Sequence, residues 1–240
     1  MALQTINIGS AANDRSGTSL RAAFDICNDN FAELYDEGNA LPYQIEGTNF
    51  TGSLIIGHTT TGTISSAEYN TGVGISALDA LTTGDQNVAV GYNVLTATNT
   101  GYGNTAIGSY AGDALTSGYR NVAVGNLALS AEDTHGFNVA IGYAALFSQN
   151  AGADAYNVAV GSSAGTSITT GIKNTILGGL AGDALTTATE NTIVGYEALS
   201  DATTCNYNTV LGTQAMKVGQ NANKNNPYCV SVRNTKHITV

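Results

Sequence analysis

Asn104-Thr105-Ala106-Ile107-Gly108, Asn121-Val122-Ala123-Val124-Gly125 and Asn138-Val139-Ala140-Ile141-Gly142 are three pentapeptides of one design, set seventeen residues apart. The spacing continues outward in both directions. Glycine recurs at Gly57, Gly74, Gly91, Gly108, Gly125, Gly142, Gly161, Gly178, Gly195 and Gly212, with a single step of nineteen between Gly142 and Gly161. Asparagine stands four residues before nine of these ten glycines, and Ser53 takes its place before the first. A repeat this strict dictates architecture before any single residue is considered.

Seventeen residues are too few for a helical-hairpin repeat, which needs thirty or more. They suit one circuit of a slim β-solenoid: fully extended they reach roughly 56 Å, enough for a two- or three-sided coil with tight corners. The β-branched run between asparagine and glycine reads as a strand of about five residues closed by a turn residue. The Thr/Ser/Asp/Gly-rich remainder reads as turns. Stacked at roughly 4.8 Å per coil, ten coils make a rod of about 48 Å with equivalent residues in columns.

Each column then has an expected place. The residue before each glycine is always aliphatic (Ile56, Val73, Val90, Ile107, Val124, Ile141, Val160, Leu177, Val194, Leu211) and is expected to face the interior. Alanine three residues past most glycines (Ala77, Ala111, Ala128, Ala145, Ala164, Ala181, Ala198, Ala215) marks a wall where backbones approach closely. Glycine suits a corner at positive φ, and asparagine can bond side chain to side chain up the stack.

About three large apolar side chains per coil oppose roughly 1.5 kcal/mol per residue of ordering entropy, so a lone rod is thin. Chains in that position commonly oligomerise, and the surplus of Ala, Thr and Val fits a face that packs on copies of itself. The expected fold is therefore a mainly β protein, a parallel β-solenoid of about ten coils over residues 53–216, assembled as a homotrimer.

The first forty residues do not repeat. Thr18 or Ser19 can cap a helix that Gly38 ends, and within it Leu20, Phe24, Cys27, Phe31 and Leu34 form a two-heptad stripe suited to helix association about an axis. Packing of the same stripe on its own domain is the alternative. Residues 41–52 link this module to the first coil, and residues 217–240 are expected to cap the last one with a strand pair.

Acidic and basic residues number 18 and 8, a net charge of −10, which argues against a nucleic-acid binder. No apolar run is long enough for a membrane span, and Met1-Ala2-Leu3-Gln4 lacks the character of a signal peptide, so assembly in cytoplasm is expected. Cys27, Cys205 and Cys229 suit reduced, buried thiols better than disulfides or a metal site.

The N-terminal residues also match a known pattern. Ile6-Asn7-Ile8-Gly9, Asn13-Asp14-Arg15-Ser16-Gly17, Leu20-Arg21-Ala22-Ala23-Phe24 and Asn28-Asp29-Asn30-Phe31-Ala32-Glu33-Leu34-Tyr35 together resemble the N-terminal module of tailed-bacteriophage fibre and virion structural proteins. The solenoid repeats look like the shafts of phage fibres and, more loosely, the heads of trimeric autotransporter adhesins. This resemblance implies a trimeric virion fibre or spike, docked on the particle by its N-terminal module and other virion proteins while the shaft projects. Many such fibres continue into a receptor-binding tip or a self-cleaving chaperone domain, whereas here about two dozen residues follow the last coil. A tail fibre is the leading expectation, with a capsid (head) or collar decoration fibre of purely structural role as the alternative.

Tyr92, Tyr143 and Tyr196 follow glycines of the repeat, while Tyr69, Phe137, Tyr156 and Tyr207 precede asparagines. Exposed rows of this kind can stack on sugar rings of a host glycan, though packing on the coil surface or a neighbouring chain explains them as well. No catalytic, cofactor-binding or metal-ligating set is expected. His58, His135 and His237 fall in different coils or in the tail, which excludes a histidine-based triad or metal cluster within one chain. Asp79, Asp113 and Asp183 share one repeat position in different coils and read as solvated turn acids. The Thr pairs lie in turns and skip coils, against an ice-binding array, and the calcium-binding Gly-Gly-x-Gly-x-Asp nonapeptide is absent.

Overall fold

The computed structural model describes residues 43–45, 52–56, 66–216 and 231–232. The chain divides into two compact units, Met1–Tyr43 and Gln44–Val240, and all described residues except Tyr43 belong to the second. The N-terminal stripe Leu20, Phe24, Cys27, Phe31 and Leu34 lies outside the described residues.

Among the described residues twelve short strands form one sheet in strict sequence order. They are β1 (Tyr43–Ile45), β2 (Leu54–Ile56), β3 (Thr71–Val73), β4 (Val88–Val90), β5 (Thr105–Ile107), β6 (Val122–Val124), β7 (Val139–Ile141), β8 (Val158–Val160), β9 (Thr175–Leu177), β10 (Thr192–Val194), β11 (Thr209–Leu211) and β12 (Ser231–Val232). From β2 to β12 every pairing is parallel. From β2 to β11 the pairing joins equivalent residues of successive repeats, so ten stacked strands enclose nine turns of a parallel β-solenoid. Where the sequence steps by nineteen, the register holds, with Ala140 opposite Ala159. The two extra residues are therefore absorbed in the return loop before β8. Ser231–Val232 pairs with Val210 and Leu211 at the far edge.

The strands are three residues long rather than five, although the flanking residues still take part in the ladder. Thr71 N–H donates to the Asn87 carbonyl at 2.8 Å, and Gly74 N–H donates to the Ile56 carbonyl at 2.8 Å. Glycine ends the strand because its φ, between +124° and +140° from Gly74 to Gly212, is closed to side-chain-bearing residues.

The aliphatic column expected inside is outside. The middle residue of each strand points inward, so Ile55, Ala89, Ala106, Ala123, Ala140, Ala159, Ile176, Ile193 and Val210 are buried. The residue before glycine faces out, with Leu177 48% and Leu211 50% exposed. Side chains alternate along a strand, so an error of one position in phase exchanges the two faces. Asparagine sets the phase: Asn70 through Asn208 turn inward and are buried. They make the side-chain ladder foreseen from sequence, with Asn87 Nδ2 donating to Asn70 Oδ1 at 3.1 Å and Asn191 Nδ2 to Asn174 Oδ1 at 2.9 Å.

The interior is completed by the alanine column, fully buried from Ala77 to Ala215, and by Leu78, Leu95, Leu129, Leu146 and Leu199 one position later. Sizes compensate between coils. Gly165 and Gly182 replace leucine in that column, and a side chain there would meet Ile168 and Ile176, or Leu185 and Ile193. Cys205 is buried in the same core.

Candidate interaction surfaces

The outward positions of β2 to β11 are all Leu, Ile, Val or Thr, so this sheet face carries no charge along its length. Ten strands at roughly 4.8 Å spacing, three residues wide at about 3.3 Å each, make a strip of about 480 Å². That area falls in the middle of the range for the largest apolar patch on a monomeric protein, about 300–600 Å², patches that are often functional. In-register stacking places one uncharged outward pair above another at each level, as in Val122 with Val124 above Thr105 with Ile107.

At the glycine end of the strands, Tyr92, Tyr143 and Tyr196 are 48%, 55% and 50% exposed. They follow β4, β7 and β10, so each stands three coils from the next, about 14 Å. Smaller residues, Ser109, Asn126, Ser162 and Gly179, occupy the intervening levels. The column is thus regular, which a reading pooled with the other aromatic rows does not reveal. Tyr92 also meets Tyr110 edge-on at 5.4 Å.

At the asparagine end an aromatic ladder joins residues that sequence reading had only partly assembled. Tyr102 stacks on Tyr119 at 5.3 Å, Tyr119 meets Phe137 edge-on at 5.6 Å, and Phe137 stacks on Tyr156 at 4.9 Å. The Arg120 guanidinium lies 5.7 Å from the Tyr102 ring and 5.6 Å from Phe137. Tyr119 Oη donates to Asp154 at 2.8 Å, and that hydrogen bond, with the burial and charge around it, raises the phenol above its usual range. Because Asp154 also accepts from Gly136 N–H, the ladder ties the nineteen-residue coil to its neighbours. The sequence signal is the interleaving of Tyr102 and Tyr119 with Phe137 and Tyr156 in adjacent columns.

The candidate carboxylates do not converge. Burial raises Asp113 and Asp183 above the usual carboxylate range, and Oδ1 of each lacks a hydrogen-bond partner. They stand four coils apart, about 19 Å, beyond the roughly 5–10 Å that glycoside hydrolysis between two acids uses. Asp79 lies two coils from Asp113, about 10 Å, at the limit of that range.

His135 is less isolated than its distance from His58 and His237 in sequence suggests. Its ring is gathered with the carboxylates of Glu132 and Asp133, the donor atoms all within 4.8 Å of one another. A search for paired histidines overlooks such a set; the signal available was Glu132 in a column that holds Leu115 and Leu185 elsewhere.

Among the described residues no helix is long and apolar enough to cross a membrane. No protein-family model, curated protein or solved structure matches the chain.

Proposed function

We propose that the chain is a structural fibre or spike component of a bacteriophage particle, a tail fibre first of all, that assembles as a homotrimer and catalyses no reaction. Its N-terminal module joins other virion proteins, and the shaft projects toward the host surface. A capsid or collar decoration fibre is the alternative placement. The single observation that carries the reading is the uncharged outer sheet face. A strip that is long and only three residues wide is best buried by strips meeting around an axis parallel to the rod. Three-fold symmetry does this with every residue opposite its own counterparts, so the in-register columns give a continuous seam. The N-terminal motif supplies the link to phage fibres.

Light scattering on the full chain is expected to give three chain masses. Ile107→Lys with Leu177→Lys places charges in the seam at exposed positions, and the variant is expected to run as a folded monomer by circular dichroism. A monomeric parent chain, or a double variant that stays trimeric, excludes this seam. For the placement, an antibody to the shaft is expected to label intact particles; labelling confined to unassembled protein removes the virion assignment.

The regular tyrosine column supports a second reading, contact with host-surface glycan. Rings at half-exposed positions with small residues between them leave shelves on which sugar rings can stack. Binding to a glycan array is expected to fall at least roughly tenfold, about 1.4 kcal/mol, when Tyr92, Tyr143 and Tyr196 are all changed to Ala. Unchanged binding disposes of the glycan role and leaves the fibre intact.

A further inference from the structure

We propose that Glu132, Asp133 and His135 bind a divalent transition-metal ion of the zinc class. The starting point is a residue out of place. Seven positions past each repeat glycine runs a buried column, Leu81, Thr98, Leu115, Glu132, Gln149 and Ile168. Glu132 thus occupies a core position filled by Leu115 one level away, and none of its side chain reaches solvent.

A buried carboxylate needs partners for both oxygens, and half of this one has none. Oε1 accepts from His135 N–H at 3.2 Å. Oε2 is buried without a hydrogen-bond partner. An ionised group left so costs several kcal/mol, and a cation is the economical remedy. The donors to hold one are adjacent. His135 Nδ1 lies 3.5 Å from Glu132 Oε1. Tetrahedral donors on bonds of about 2.1 Å stand about 3.4 Å apart. Asp133 completes a set of one imidazole and two carboxylates within 4.8 Å.

The loop is held for the task from the preceding coil. The Asp133 carbonyl accepts from Thr116 N–H at 2.7 Å and Thr116 Oγ1 at 3.0 Å. The His135 carbonyl accepts from Asn121 Nδ2 at 2.9 Å. Thr134 Oγ1 lies 3.1 Å from Asp133 Oδ1 and 3.0 Å from His135 Nδ1. It keeps the aspartate as acceptor when the ring nitrogen turns to a metal, an outer contact that orients a ligand. His135 is 27% exposed, which leaves a way in. One nitrogen and two carboxylate donors suit zinc, cobalt or nickel; calcium and magnesium prefer more numerous, all-oxygen sets.

The test uses the full chain with His58→Ala and His237→Ala, so that His135 is its only histidine. Calorimetric titration with ZnCl2 is expected to show one ion per chain, and Co2+ to give visible absorption that zinc abolishes. His135→Ala and, separately, Glu132→Gln are expected to weaken zinc binding by roughly tenfold or more. Without metal, Glu132→Gln is expected to melt no lower than its parent, since the amide has the carboxylate's shape and Oε2 has no hydrogen bond to lose. Absence of both signals in the parent, or zinc binding undiminished by His135→Ala, overturns the site; His135→Ala decides the matter if Glu132→Gln fails to fold.

Discussion

Gly125→Ala is expected to destabilise the shaft by more than about 4 kcal/mol, among the largest losses a single methyl group can cause. At φ +133° no L-residue is comfortable, and the added Cβ stands 2.4 Å from the Gly142 carbonyl oxygen and 2.6 Å from its carbon. Both obstacles are backbone, which cannot turn aside as a side chain can. Relief requires separating two coils, and the shaft is a stack in which each coil is held chiefly by its neighbours. Denaturant unfolding of Gly125→Ala is therefore expected to break into two steps, one for each side of the damaged level. Gly152→Ala is the control. Its φ of +66° lies where alanine costs about 1 kcal/mol, and nothing stands within 4 Å of the new atom. Equal losses from the two variants would show that close stacking at the corner is not what the repeat glycine provides.

Asn174→Ala is expected to cost about 3–5 kcal/mol, from two to three buried polar groups left unpaired at about 1–3 kcal/mol each. Asn174 Oδ1 accepts from Asn191 N–H at 3.1 Å and from Asn191 Nδ2 at 2.9 Å. Its Nδ2 donates to Asn157 Oδ1 at 3.1 Å and to the Ala188 carbonyl at 2.8 Å. Asn138 is equally buried in the same column, but the nineteen-residue coil thins the ladder beside it, leaving its Oδ1 one long bond from Asn157 N–H at 3.3 Å. Its Nδ2 reaches only the Gly136 carbonyl, at 3.4 Å, and Asn157 Nδ2 turns instead to Gln149 Oε1 at 2.7 Å. Asn138→Ala is accordingly expected to cost about 1–2 kcal/mol. Calorimetric unfolding of the two variants compares them directly, and similar losses would refute the ladder as the source of the stability.

The legible part of this fold was whatever depends on period. Seventeen-residue spacing yields parallel strands, in-register columns and corners at glycine without knowledge of any contact. The direction in which Ile107 or Leu177 points was misread because asparagine is usually a turn residue, so the aliphatic neighbour seemed the natural core. Four hydrogen bonds at Asn174 reverse that preference: a buried amide fully paired costs little, and alanine in the strand centre then leaves room for leucine from the return segment. The candidate surfaces follow the same division. Tyr92, Tyr143 and Tyr196 were visible as residues, whereas their equal spacing along the shaft follows from counting coils.

Periodicity alone thus determined that the chain winds as a β-solenoid, because a stacked structure must repeat whatever its coils share. Only the tertiary structure decided which side of each strand is core, and with it that an uncharged strip of Leu, Ile, Val and Thr faces outward. It also brought a buried glutamate beside His135. Facing and proximity depend on how neighbouring coils satisfy one another's backbone and amide groups, and a linear pattern of residue types does not contain that geometry.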